Sequence, residues 1–189
     1  MEVSENKRKR SENNGRISEN RWQRRFPDAK PASDYDNIHR HIDFWHGEHG
    51  VDVKGRKLPH QIWLEFKNVL GEKGWMKGDA KWISIDFPQI TGFVIFQREE
   101  CLEWCRSMFR DKNFEYAKNS RDAYKKLYSR SEWGRDDLMT CVTIHDLLEL
   151  NSFTYVGWSE EDIMQAGGNK ISMQYTHPQT GREMIFKTY

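Results

Sequence analysis

Between His41 and Lys54 the apolar residues fall on every second position: Ile42 and Phe44 alternate with His41, Asp43 and Trp45, and Val51 and Val53 alternate with Asp52 and Lys54. A period of two marks an extended strand, and the intervening Gly47-Glu48-His49-Gly50 supplies turn residues, so the segment predicts a β-hairpin. Residues two apart on a strand project from one face, which puts Asp52 and Lys54 together and Asp43 nearly opposite them across the turn. Two carboxylates and one ammonium converge. Such a set repels itself unless a cation or a buried lysine compensates it, and hard oxygen ligands of this kind suit a magnesium or manganese ion.

The flanking pattern is that of an α/β (α+β) chain. Ser18 can cap a short helix running to Arg25, and Phe26-Pro27 ends it, because proline disfavours helix in the residue before it. Residues 1–15 are polar and low in complexity, with the run Lys7-Arg8-Lys9-Arg10, and read as a disordered basic arm. Gln61 to Asn68 follows the hairpin as a third strand, with Ile62, Leu64 and Phe66 on one face and Trp63, Glu65 and Lys67 on the other. The three glycines of residues 71–78 (GEKGWMKG) predict a loop, in which Trp75 could stack on a base or plug the loop onto the core. Lys73, Lys77 and Lys81 in and after it are candidate phosphate contacts. Strands are expected over Trp82 to Phe87 and Phe93 to Phe96, then an amphipathic helix over Arg98 to Arg110 whose core face carries Cys101 and Cys105. Beyond it, Cys141 to Ile144 reads as a strand entering a short helix, and Lys170 to Tyr175 with Met184 to Tyr189 as a hairpin. Residues 111–189 thus complete or decorate the same domain.

At the hairpin the sequence resembles the PD-(D/E)XK, or restriction-endonuclease-like, nuclease superfamily, whose core presents an Asp and then an acid-x-Lys on adjacent strands after an N-terminal helix. The ordered set HIDFW, GVDVKG, IWLEFKN, GEKGWMKGDAKWISID and GFVIFQREE is similar to small phage-type members, over about residues 18 to 110. The resemblance implies a central mixed β-sheet flanked by helices and a metal-dependent phosphodiesterase acting on DNA, with Mg2+ or Mn2+ held by Asp43, Asp52 and the Val53 carbonyl. It gives Lys54 the role of positioning water, Glu65 that of an outer ligand, and Glu19 the place of a helix-borne acid. His41-Ile42 stands where the family has a proline, and Glu65-Phe66-Lys67 is a second acid-x-Lys. Asp52 with Glu65 and Lys67 is therefore an alternative set, although the short hairpin favours Asp43, Asp52 and Lys54.

Composition narrows the partners. Thirty basic residues face twenty-nine acidic ones, a formal charge of +1, so any hold on a polyanion must be local. Nine basic residues against five acidic ones through Lys30 concentrate positive charge at the N-terminus. That arm could serve phosphates, act as a nuclear signal of a eukaryotic-virus accessory protein, or simply be solvated. Three cysteines, Cys101, Cys105 and Cys141, at no framework spacing suit free thiols in a reducing compartment, and no membrane span or secretory signal is legible. The expected setting is cytoplasmic, the host cytoplasm for a phage-encoded chain, with DNA as partner and a homodimer allowed. Residues His39, His41, His46 and His49 invite a zinc reading, but no paired cysteine set accompanies them. A non-catalytic DNA-binding or host-takeover protein on the same fold remains the alternative to a nuclease.

Overall fold

The computed structural model describes residues 2–55, 61–110, 116–130, 134–167, 172–176 and 183–187. The chain opens with α1 (Glu2–Arg25), passes through a short β1 (Lys30–Pro31) and one π-helical turn (Asp36–Arg40), and enters the hairpin β2 (Phe44–His46) and β3 (His49–Lys54). Next come β4 (Ile62–Lys67), β5 (Trp82–Phe87), β6 (Gly92–Gln97), α2 (Arg98–Arg110) and β7 (Leu127–Tyr128). The remainder is β8 (Leu138–Val142), α3 (Ile144–Leu147), β9 (Thr154–Gly157), α4 (Glu160–Gln165) and the hairpin β10 (Ser172–Thr176) and β11 (Glu183–Lys187).

Two main sheets flanked by helices, and a separate two-stranded sheet of β10 and β11, make an α/β architecture. The larger has the order β1-β2-β3-β5-β6-β9 and is mixed, because β3 and β5 run parallel while its other pairs are antiparallel. The near-continuous apolar runs WISIDF and GFVIFQ occupy its centre, as strands buried on both faces must. One face packs Phe44, Val51, Val53 and Phe93 under Trp22 of α1 and Ile163 of α4. The other packs Ile83, Ile85, Phe87, Val94 and Phe96 against Cys101, Leu102 and Cys105 of α2. That second core also takes in Ile62, Leu64 and Phe66 of the small sheet β4-β8-β7. Each large apolar side chain withdrawn from water here contributes about 1.5–3 kcal/mol.

Several expectations are corrected. The helix read as starting at Ser18 begins at Glu2. Its Glu, Lys, Arg and Ser residues contain no proline to stop the helix, and the Ser18 hydroxyl donates to Asp86 at 2.6 Å instead of capping. The hairpin turn is two residues, not four: His46 pairs with His49, and Gly47 takes the left-handed conformation (φ 60°) that such tight turns demand. The third strand, β4, does not extend the hairpin; it pairs antiparallel with β8 in the small sheet. By contrast α2 spans Arg98–Arg110 as the periodicity has it. Thr143 and Asp146 form a reciprocal capping box at the start of α3. The expected C-terminal hairpin pairs Ser172 with Lys187, while its turn lies outside the described residues. Cys101, Cys105 and Cys141 are buried and free.

Candidate metal centre

Alternation along β3 decides what the hairpin offers. Val51 and Val53 point into the α1 core, so Asp52 and Lys54 turn to the opposite face, toward the gap between the two sheets. Asp52 is consequently 1% exposed. Its Oδ1 lies 2.7 Å from Lys54 Nζ, and its Oδ2 is buried without a hydrogen-bond partner. Asp43 sits just before β2, with its backbone N–H donating to the Val51 carbonyl at 2.9 Å. Its side chain is held from two sides: Oδ2 accepts the Val53 N–H at 2.7 Å and Oδ1 accepts Asn37 Nδ2 at 2.8 Å. In an extended strand the N–H and C=O of one residue leave by the same edge, so the Val53 carbonyl opens on the Asp43 side.

The electrostatics follow from this crowding. Desolvation, reinforced by the Asp43 carboxylate, pushes Asp52 up to about 7 despite the opposing Lys54 charge. Burial works against the Lys54 ammonium, but Asp52 and Asp43 outweigh it and raise Lys54 above its ordinary value. Glu65, near enough to act on the same ammonium, adds to that rise. Glu19, half-buried on α1, is raised by desolvation and by Asp43. Five charged groups, Glu19, Asp43, Asp52, Lys54 and Glu65, thus feel one another. Trp75 is buried against them, with Lys54 Nζ 5.5 Å above its ring, so it floors the site and presents no open face to a base.

Not all expected residues arrive. Lys67 points instead toward Asp136 (3.8 Å), beyond an irregularity in β4 between Glu65 and Lys67; the acid-x-Lys that meets Asp52 is its own, with Lys54. Lys73, Lys77 and Lys81 are exposed, and Lys81 Nζ lies 3.1 Å from His49 Nε2.

Other residues support the site without a motif to announce them. His41 takes a left-handed backbone (φ 54°) that steers the chain from the π-helical turn into Asp43, and its Nε2 lies 3.1 Å from the Lys73 carbonyl. Burial pushes its imidazole below the ordinary value, which favours the neutral ring. Buried Asp86 on β5 accepts from Ser18 Oγ (2.6 Å), Arg21 Nη1 (3.2 Å) and Trp158 Nε1 (2.9 Å), clamping α1 and with it Glu19 over the sheet. A carboxylate inside an apolar strand, with Ser and Arg three apart on the preceding helix, was the available signal.

Among the described residues no cluster of three or more His, Cys, Asp or Glu is poised to hold a metal ion, the four histidines included. A divalent ion here would rest on two carboxylates, which suits magnesium, since it retains several waters and uses one or two protein carboxylates. The partnerless, desolvated Asp52 Oδ2 beside Asp43 fits that donor set: a cation, or one shared proton, would relieve both oxygens. No family model, curated protein or solved structure matches the chain. No helix among the described residues is long and apolar enough to cross a membrane.

Proposed function

We propose that the chain is a magnesium- or manganese-dependent phosphodiesterase acting on DNA, built on a restriction-endonuclease-like sheet. The observation that carries this reading is Asp52: a buried carboxylate within a central strand, one oxygen on Lys54 and the other without a partner, next to Asp43. Asp43, Asp52 and the Val53 carbonyl would hold the ion. When bound, it supplies a Lewis acid for the phosphate and lowers the pKa of a water. Lys54, kept charged by its two acids, would orient an attacking water and offset charge developing on the phosphoryl oxygens. Glu19 and Glu65 set the negative field around it, and Trp75 excludes solvent from below.

The test is calorimetric titration of Mg2+ or Mn2+ into wild type and Asp52→Ala, followed by incubation of each with plasmid, linear and branched DNA. Metal binding and cutting that both disappear in the variant support the reading. A wild-type protein that binds neither ion supports a non-catalytic protein on the same fold.

A further inference from the structure

A cavity of about 730 Å³ opens beside the small sheet, within the range that holds a nucleotide-sized ligand. Its lining includes Lys67, Tyr116, Lys118, Tyr128, Arg130 and Asp137. Asp137, 1% exposed, accepts the Arg130 N–H at 3.0 Å and ion-pairs with the Arg130 guanidinium, so this pair satisfies itself and forms a rigid floor. The remaining cations are disposed differently. Lys67 is only loosely held, 3.8 Å from Asp136 with both side chains open to solvent, and Lys118 is exposed and makes no ion pair among the described residues.

The aromatic part is equally telling. Tyr116 is tied by its backbone, through a bridge to Leu127 and the neighbouring Ala117 N–H on the Leu127 carbonyl at 2.7 Å, yet the residue is 60% exposed. A large ring held from behind and bare in front is a stacking platform. Trp63 packs on Tyr128 at 5.9 Å between centroids and backs the same wall.

The cavity is also joined to the metal centre. Trp63, Glu65 and Lys67 are the half-buried positions of β4, with an irregularity in the strand between Glu65 and Lys67, so the residue that acts on Lys54 and the residue that lines the cavity stand two apart on one strand. Lys67 bridges to Lys73, whose carbonyl meets His41, next to Ile42 and Asp43. Backbone pairing thus sets the Lys73 segment beside Lys67, which shares the cavity lining with Lys118 and Tyr116.

The geometry points to this cavity as the seat of one unpaired nucleotide of a single-stranded nucleic-acid segment, its base on Tyr116 and its phosphates on Lys118 and Lys67. The assignment deepens the phosphodiesterase reading and rests on it for the direction of the strand. A duplex offers only base edges, whereas the platform takes the face of a base that has left its pair.

The experiment is fluorescence anisotropy of the full chain in chelator, so that nothing is cut, with a labelled oligo(dT), an oligo(rU) of equal length and a blunt duplex. Wild type is expected to bind a single strand more tightly than the duplex, and the dT and rU arms tell which strand chemistry it prefers. Tyr116→Ala should weaken single-strand binding about tenfold while Tyr116→Phe stays near wild type, as stacking energies of this size require. Lys118→Gln should lower the salt dependence by about one phosphate contact. Manganese titration should be unchanged in all three variants. Equal binding by Tyr116→Ala and wild type, or a preference for the duplex, overturns the subsite. A wild type that binds manganese but no single strand overturns it as well, leaving the metal centre standing. A wild type that binds the strand but no metal retains the subsite and rejects the phosphodiesterase.

Discussion

The Lys54 ammonium stands 2.7 Å from one oxygen of Asp52, whose other oxygen is buried with no partner. The carboxylate is thus half compensated, and desolvation leaves it titrating at about 7 instead of 3.8. A carboxyl raised on folding binds a proton that the unfolded chain has already lost, so stability falls as pH rises from about 4 to about 7. Asp52→Asn cannot ionise and escapes that loss. Urea unfolding of both proteins across pH 4.5–8 should show the variant gaining relative stability through this window and holding the gain above it. A gap independent of pH would refute the assignment.

On the proposed reading a cation bound beside Asp52 would relieve the same uncompensated charge and stabilise the fold. At about a hundred times its dissociation constant, a ligand bound only by the folded state adds about 2.7 kcal/mol. For a chain of this length that is a rise of roughly 5–10 °C in Tm. Manganese at pH 7.5 should raise the wild-type Tm by this order, chelator should reverse the rise, and Asp52→Asn should not respond. An equal rise in the variant would place the ion elsewhere.

The hairpin and its three charged residues were legible because Asp and Lys alternate strictly with Val, and α2 because its apolar residues repeat at helical spacing. The partner of β4 was not, since alternation identifies a strand and is silent about which sheet it joins. The turn was misjudged by two residues because His49 and Gly50 are turn formers by type, yet pair in β3. Trp75 was readable either as a plug on the core or as an open stacking ring, and the meeting of the two sheets buries it in the core. Asp86 looked like one polar residue in a strand pattern, and its role depends on donors sixty-five and more residues away.

Asp86 gathers donors from α1 and from Trp158, and removing the carboxylate strands them in a buried place. Breaking one side of such a buried charged pair costs about 3–5 kcal/mol. Asp86→Ala should therefore lose stability of this order in urea and open α1 to trypsin after Arg21 or Arg24. A loss below about 1 kcal/mol with α1 still protected would mean that apolar packing of Trp22 alone holds the helix.

Gly74 lies against β4 so closely that a Cβ would stand 2.5 Å from the Glu65 carbonyl oxygen and 2.8 Å from its carbon. Backbone cannot yield as a side-chain tip does, so Gly74→Ala must displace the loop and with it Trp75. We expect a cost of about 1–3 kcal/mol, the usual price of overpacking, and an altered near-ultraviolet tryptophan signal. Unchanged stability and spectrum would mean that the loop has room the close approach denies.

On the proposed reading Lys54 and a metal ion would compete for Asp52, because Nζ already holds one of its two oxygens. Removing the ammonium should free that oxygen for the ion while leaving no group to orient a water. Lys54→Gln is accordingly expected to bind manganese at least as tightly as wild type in calorimetry, and to lose cutting by a hundredfold or more, about the contribution of a positioned acid–base group. In the absence of metal the same variant should be less stable at pH 8 than at pH 5, since the buried Asp52 loses its counter-charge while still facing Asp43. Loss of manganese binding in Lys54→Gln would make the lysine a scaffold for the carboxylates, and retained cutting would move the water-orienting role to another residue.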